Sequence, residues 1–245
     1  MFLMKEYLDL FLVPSGLVIM SVYHLYLLYR YLYNDHTTVI GFENNDKRAW
    51  VERIMQLDKP DLGIPLTVLS NNTSAATYLA SVSLTLSAII GAWTSSTKDN
   101  IFQSSIIYGD TTSTIMSMKY ITLLTCFIMA FSFFVQSARC LVHANYLITT
   151  PNSNIPTENV VKCVIKGGDF WTLGLRALYF AINLLMWFFG PVPMFATSIV
   201  MVVVLHYLDW NSSPLHRHWP LVNHDPPVSK PRSTQFSTPQ VIIGS

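Results

Sequence analysis

Four long stretches of this sequence contain no Asp, Glu, Lys or Arg, and they constrain the fold more than any other feature. The stretches are residues 10–29, 62–97, 120–138 and 177–208. About 20 apolar residues are enough to cross the roughly 30 Å hydrocarbon core of a bilayer as a helix. Because that core holds no water, each backbone amide must pair within its own helix. The sequence therefore predicts an all-α integral membrane bundle of four transmembrane helices.

The composition is also typical of a membrane protein. Of the 245 residues, 51% are hydrophobic and only 12% are charged, whereas a soluble domain carries about 25% charged residues. The net charge of +1 gives no basic field, so we expect no nucleic-acid partner. The three cysteines, Cys126, Cys140 and Cys163, form no CxxC pair and are odd in number, which favours reduced structural thiols.

Breaker residues and polar clusters set the expected boundaries. The transmembrane domain covers residues 1–210, with helices near residues 7–33, 73–93, 115–143 and 170–207. The second helix is placed after Gly63, Pro65 and the polar cluster at residues 70–74, which can cap a helix. The first helix is too long for a signal peptide and lacks a cleavage site, so we expect it to be retained. Residues 211–245 are rich in proline, and a disordered C-terminal tail is expected there.

The distribution of Lys and Arg predicts the orientation of the helices. The segments that join the first helix to the second and the third to the fourth are basic, whereas the 94–114 segment holds only Lys98. Because cytoplasmic segments carry an excess of Lys and Arg, we expect the two basic segments in the cytoplasm and both termini on the opposite side. The expected location is the plasma membrane or an endomembrane.

Residues 46–57 have a helical period but are too few to cross a bilayer. Apolar side chains recur on one side of this segment, and Lys47, Arg48 and Arg53 lie on the other. One interpretation is a cytoplasmic amphipathic helix on the inner leaflet, whose three basic residues contact anionic lipid. The alternative is a helix that packs on the protein's own loops.

Candidate functional residues come from the spans, because no sequence motif of a soluble enzyme is present. We therefore expect no enzymatic activity, no metal and no cofactor. Five ionisable side chains fall toward the predicted cytoplasmic ends of the helices: His24, Arg30, Arg139, His143 and Arg176. Ionisable groups within a span are costly and count as functional candidates, and three arginines around one opening can bind an anion.

Two alternatives to an anion site remain open. Arginines near helix ends, like the tyrosines of residues 23–33, can simply anchor a helix at the membrane interface. A more remote alternative is a haem held between two helices by His24 and His143.

Two further patterns concern helix packing. Gly190, Pro191 and Pro193 interrupt the predicted fourth helix, because each proline clashes with a carbonyl one turn earlier. They predict a kink, or a gate in a solute path to which Asn183 adds a polar group. The second helix carries a stripe of small residues: Ala76, Ala80, Ser83, Ser87 and Gly91. Such a stripe allows close packing, either inside the bundle or between the protomers of a homo-oligomer.

Several short motifs, taken together, resemble a known family. They are Asp9 with Pro14-Ser15-Gly16-Leu17, Tyr23-His24, Ile40-Gly41, Arg48-Ala49-Trp50-Val51, Asn71-Asn72, His143-Ala144-Asn145, Gly174-Leu175-Arg176-Ala177 and Phe189-Gly190-Pro191. In combination they resemble a plant and bacterial family of four-helix membrane proteins catalogued as domain of unknown function five-nine-nine. The resemblance implies the four-helix architecture and a plant membrane, but no activity. Ser70 stands where the family commonly has a basic residue.

These observations predict a multi-pass membrane protein that acts as a small oligomeric channel or transporter, with an anion as the expected solute. Arg139, His143 and Arg176 would lie at its inner mouth, and residues 190–193 would form its gate. One alternative is a non-catalytic membrane adaptor that works through its cytoplasmic loops and tail. The remote alternative is a haem-binding membrane redox protein.

Overall fold

The described part of the chain folds into helices. The computed structural model describes residues 2–56, 62–96, 112–150 and 154–211. Its α-helices are α1 (Phe2–Tyr33), α2 (Val39–Ile54), α3 (Gly63–Ser96), α4 (Ser113–Thr149), α5 (Thr157–Met186) and α6 (Pro191–Asp209). These residues contain no strand beyond an isolated bridge between Thr38 and Trp210. The predicted all-α class is confirmed.

Five long helices lie side by side, and α2 packs at one end of them. α3 packs on α4, α4 on α5, α5 on α6, and α6 on α1. Neighbours run antiparallel except α1 and α6, which are parallel: Gly16 lies against Ser198, and further along both helices Tyr23 bonds Asp209. We call the end at which α2 lies the α2 end, and the opposite end, where α5 turns into α6, the Gly190 end.

Four of the helices are long and apolar enough to cross a membrane. The candidate spans are Leu8–Tyr33, Gly63–Ala92, Ser113–Thr149 and Pro191–Asp209. At 1.5 Å per residue, the shortest of them, α6, is about 28 Å long, close to the thickness of the hydrocarbon core of a bilayer. These helices identify a membrane protein, as the sequence predicted.

The buried positions of α1 recur with a period of 3.5 residues. They are Asp9, Val13, Gly16, Met20, Tyr23 and Leu27, which alternate steps of four and three. A helix with this spacing keeps one face toward its partner along its whole length. Residues seven apart on this face meet successive levels of its neighbour, as Gly16 does at Ser198 and Tyr23 at Asp209 of α6.

α2 packs on the bundle itself. Its Val51 and Ile54 are buried against Leu69 of α3 and against apolar residues of α4 and α5. Thr38 caps the helix, because its hydroxyl accepts a hydrogen bond from the Gly41 amide at 3.2 Å. Residues 46–54 of the predicted amphipathic segment therefore belong to a helix packed on the protein, as the second interpretation held, although its partners are helices rather than loops. Leu57 lies outside the described residues.

α3 begins at Gly63 rather than near residue 73, so the predicted start of the second helix is wrong. The polar cluster does not break the helix, because hydroxyls bond carbonyls one turn earlier, as Thr73 does to Leu69 at 2.8 Å. Pro65 lies in the first turn of α3. Backbone amides there have no helical partner, so the proton that proline lacks is not needed.

The small-residue stripe of α3 is buried within this chain except at Gly91. Ala76, Ala80, Ser83 and Ser87 are buried, and Ala80 packs in one cluster with Ala130 and Phe134 of α4. Of the two roles predicted for the stripe, the structure shows the one inside the bundle. A homo-oligomer is not needed to bury it.

The predicted fourth helix at residues 170–207 is wrong as a single element, because it is divided into α5 and α6. Residues 187–190 form a tight turn in which successive amides bond carbonyls three residues earlier. Gly190 has φ 135° and ψ 170°, a combination that is essentially restricted to glycine. Pro191 then occupies the first position of α6, where its missing amide proton is not required. The prolines therefore start a helix instead of kinking one.

This turn changes where the chain leaves the bundle. α6 returns to the α2 end, where the Asn211 amide donates to the Thr37 carbonyl at 3.3 Å, whereas α1 begins at the Gly190 end. The described chain therefore begins and ends at opposite ends of the bundle, whereas the sequence predicted both termini on one side, because a hairpin stands where one kinked helix was expected. The predicted disordered tail, beyond Asn211, lies outside the described residues.

Candidate functional site

Three side chains from three helices form a buried network at the α2 end. Asp209, the last residue of α6, accepts hydrogen bonds from Arg176 of α5 and from the Tyr23 hydroxyl of α1, the latter at 2.7 Å. The side chains of Arg176 and Asp209 are only 13% and 10% exposed. A guanidinium and a carboxylate can be buried together when each neutralises the other and fills its hydrogen-bonding sites. We call this group the α2-end network.

His24 lies beside the α2-end network. Its Nδ1 is 2.7 Å from the Met20 carbonyl oxygen, and because a carbonyl only accepts, Nδ1 carries the proton. In the neutral ring Nε2 is then an acceptor, and it is buried with no partner among the described residues. The same is true of Nη1 of Arg176. His24 therefore has an unfilled acceptor and Arg176 an unfilled donor.

Arg30 closes the α2 end above this network. Its guanidinium lies over the Trp210 ring at 4.3 Å from the centroid, and its Nη2 donates to the Thr37 carbonyl at 2.9 Å. These contacts tie the end of α1 to the end of α6 and to the start of α2. Arg30 therefore joins three parts of the protein, and its anchoring at the membrane interface stays a prediction.

A neutral polar pair lies midway along the bundle. Asn183 of α5 donates through Nδ2 to the Ser198 hydroxyl of α6 at 2.8 Å, and both side chains are buried. α1 approaches this pair closely, because a Cβ added at Gly16 would lie 2.8 Å from Ser198 Oγ. Asn183 and Ser198 are called the central pair below.

A third polar group lies near the Gly190 end. Trp187, just past α5, donates through its indole Nε1–H to Asp9 of α1 at 3.0 Å. Lys119 of α4 lies on the same indole, with Nζ 5.2 Å from the ring centroid. Asp9 and Lys119 are 7% and 1% exposed, so two ionisable groups are buried here. We call these three residues the Gly190-end cluster.

These three groups follow one line through the bundle, which we call the polar seam. Asp9, Gly16 and Tyr23 are successive members of one buried face of α1, so the cluster, the central pair and the network lie at successive levels. From Asp9 to Tyr23 the seam extends about 21 Å along α1. It therefore offers charged groups at its two ends and neutral donors and acceptors in its middle.

One further titratable group lies outside the candidate spans. Burial raises the pKa of the Cys163 thiol on α5, and the nearby Lys166 offsets part of that rise. Cys163 is therefore a neutral thiol at pH 7, and all three cysteines are free in this structure.

A family model for "Protein of unknown function, DUF599" matches residues 11–214. The chain belongs to the DUF599 family. No curated protein and no solved structure matches it. The matched region of this DUF599 protein contains the central pair and the α2-end network, while Asp9 precedes it.

Three of the five ionisable residues predicted for this DUF599 protein lie at the α2 end of the seam. Arg176 belongs to the network, His24 lies beside it, and Arg30 closes it. Arg139 and His143 are exposed on α4 instead. The expected ring of three arginines does not form, and Arg176 is already paired with a carboxylate that the sequence did not connect to it.

His24 and His143 are far apart along the bundle. Ser137 of α4 bonds the Gly167 carbonyl of α5 at 2.7 Å, which places His143 level with about residue 161 of the antiparallel α5. His24 instead packs on Phe180 of α5, with ring centroids 4.9 Å apart. The two levels differ by roughly 28 Å, so the two histidines cannot hold one haem.

Most of the polar seam was missed by sequence reasoning. Asp209 and Asp9 were not assigned to any site, and neither were Lys119 and Ser198. One signal was present: Asp9, Gly16 and Tyr23 repeat every seven residues, the spacing of a packed helix face. The partners of that face are Trp187, just past α5, and Ser198 and Asp209 of α6. They lie far along the sequence, and no local pattern indicates them.

The predicted anionic-lipid patch on α2 is largely neutralised within the protein. Lys47 pairs with Glu43, and Arg48 pairs with Glu158 of α5, each at 3.1 Å. Both pairs lie at the surface, where ion pairs contribute little to stability. They nevertheless occupy two of the three basic side chains that were expected to contact lipid, and Arg53 is left exposed.

Proposed function

We propose that this DUF599 protein is a multi-pass membrane transporter whose solute path is the polar seam. The α2-end network carries the proposal. Burying a charged pair inside an apolar bundle is costly, and intramembrane ionisable groups usually serve transport or proton transfer. The network also links α1, α5 and α6, so its opening would separate those helices.

The packing of the seam favours a carrier over an open channel. Met20, Ala181 and Leu205 are 0%, 0% and 2% exposed, and they close the space between the polar levels. A continuous aqueous pore is therefore absent from these described helices. Carriers commonly bind their solute near the midplane, beside broken helices, and open to one side at a time. The central pair, midway along the seam, is the matching element.

A small inorganic anion is the solute class that we propose to test first. Arg176 retains an unfilled donor at Nη1, and the central pair supplies an amide and a hydroxyl. Such donors can take the place of the water around chloride or nitrate. The non-catalytic adaptor remains the competing function, and an adaptor is expected to carry no ions across the membrane.

The first test is ion flux in liposomes that contain the purified protein. We expect chloride or nitrate gradients, but not a potassium gradient, to drive flux through the wild-type protein. Ser198→Ala, which removes only a hydroxyl from the central pair, should lower the rate by about tenfold, the worth of one good hydrogen bond.

The matched control is Ser132→Ala on α4, where the hydroxyl is exposed and bonds only the Ile128 carbonyl of its own helix. Its flux should equal that of the wild type. No flux from folded, inserted wild-type protein would favour the adaptor. Flux that both variants retain in full would show that the seam is not the path.

A further inference from the structure

A separate cavity of about 550 Å³ opens at the α2 end, between α2, α3, α4 and α5. We propose that it binds one phospholipid whose headgroup carries a primary amine. The cavity lies across α5 from the polar seam, so this proposal does not depend on the transporter. Its size is within the range of roughly 300–1,000 Å³ found for ligand sites.

The interior of the cavity suits a hydrocarbon chain. Leu69 of α3, Leu141 of α4 and Val164 and Trp171 of α5 form its walls. Trp171 is held in place by an edge-to-face contact with Phe134, with ring centroids 5.6 Å apart. An apolar chain that leaves water for this space gains free energy in proportion to the area it buries.

Small residues keep the interior open. Ala75 of α3 lines the cavity and lies on an exposed position of its helix. Gly167 and Gly168 line the opposite wall on α5. A Cβ added at Gly168 would lie 2.8 Å from Lys47 Nζ, so any side chain there would intrude on the rim.

The rim of the cavity carries charges of both signs. Glu43, Asp46 and Lys47 of α2 lie there, and Lys47 bonds Glu43 at 3.1 Å. A phosphate would contact Lys47, while an ammonium group would donate to the two carboxylates. A zwitterionic headgroup satisfies both contacts with charge-assisted hydrogen bonds.

The same chemistry discriminates between headgroups. A choline group has no N–H and cannot donate to Glu43 or Asp46, and a glycerol headgroup leaves a net negative rim facing a net negative lipid. Phosphatidylethanolamine, a phospholipid with a primary amine, is therefore preferred over phosphatidylcholine and phosphatidylglycerol. Hydrogen bonds that involve charged groups make this preference about tenfold.

The level of the cavity agrees with a lipid position. It lies at the α2 end, where tyrosines of α1 and Trp210 are exposed, and such aromatic side chains mark the membrane interface. α2 therefore lies at headgroup depth, and the apolar walls below it extend toward the hydrocarbon core. The headgroup of one lipid would therefore contact the charged rim of the cavity, and its hydrocarbon chain would contact the apolar walls.

The test is native mass spectrometry of the full-length protein released from nanodiscs of equal parts phosphatidylethanolamine, phosphatidylcholine and phosphatidylglycerol. We expect one retained phosphatidylethanolamine, enriched about tenfold over the other two lipids. Ala75→Phe should fill the cavity and abolish retention. Ala88→Phe, at an exposed position of the same helix outside the cavity, should retain the lipid as the wild type does.

A second variant tests the headgroup contact without filling the cavity. Glu43→Gln with Asp46→Asn should keep a bound lipid but reduce the enrichment of phosphatidylethanolamine over phosphatidylcholine to about that of the bulk. The proposal is overturned if wild-type protein retains lipids in the bulk ratio, prefers phosphatidylglycerol, or retains none. It is equally overturned if Ala75→Phe keeps the preference.

Discussion

Asp209 is held by two donors from two other helices, Arg176 and Tyr23, while its own backbone ends α6. A buried ion pair of this kind contributes little compared with an apolar replacement of the same shape, because both groups give up hydration. Losing one partner is different, since the other charge is then left buried and unpaired. Removing one partner should therefore destabilise the protein far more than replacing both by apolar residues.

Asp209→Ala should lower the free energy of unfolding by about 3–5 kcal/mol, because Arg176 is left without its counter-charge. The double variant Arg176→Met, Asp209→Leu should recover most of that loss. Chemical denaturation in detergent micelles, followed by circular dichroism, measures both. Glu52→Ala, at an exposed acid on α2, is the control and should change stability by less than about 0.5 kcal/mol. A double variant no more stable than Asp209→Ala would contradict this account of the pair.

Among the elements, the turn at residues 187–190 separates what was predictable from what was not. The prolines at 191 and 193 were recognised as a break, yet a proline signals both a kink and a helix start. The deciding feature is the positive φ of Gly190, which a sequence does not display. The start of α3 was misplaced for a related reason, since hydroxyl residues can cap a helix or continue it.

Gly190→Ala tests that turn. A residue with a Cβ is strained at φ 135°, and the substitution should lower the free energy of unfolding by about 1–3 kcal/mol. Gly91→Ala is the matched control, because Gly91 is inside α3 with nothing within 4 Å of an added Cβ. It should leave stability unchanged or raise it slightly. Thermal unfolding of both variants and the wild type in the same detergent measures these changes in stability. An equal decrease in stability for the two variants would mean that the turn is not strained.

At the scale of the whole molecule, the hydrophobic runs were enough to predict an all-α membrane bundle, since each run needs a helix for backbone reasons alone. The number of helices that run the length of the bundle was not predictable from the hydrophobic runs. α5 is not a candidate span by composition, yet it lies between α4 and α6. From residue 167 onward it carries only Asp169 and Arg176 as charged residues, and these are tolerated because Tyr31 bonds Asp169 and Asp209 bonds Arg176.

The placement of α5 makes a prediction about sidedness. In a background with the three native cysteines replaced by alanine, Asn211→Cys and Glu52→Cys should react with a membrane-impermeant maleimide from the same side of oriented vesicles. Thr114→Cys, at the Gly190 end, should react only from the other side. If Asn211→Cys and Thr114→Cys instead react from the same side of the membrane, α5 and α6 together form one span.

The parallel pairing of α1 with α6 has a consequence for how the protein is made. Tyr23 and Asp209 are 186 residues apart in the sequence, so the Tyr23 hydroxyl has no acceptor in this network until the end of α6 is synthesised. At about 5–20 residues per second this wait is on the order of ten to forty seconds. Until Asp209 is added, Arg176 also lacks its counter-charge. The α2-end network therefore forms only after α6, the last of the described helices, has been synthesised.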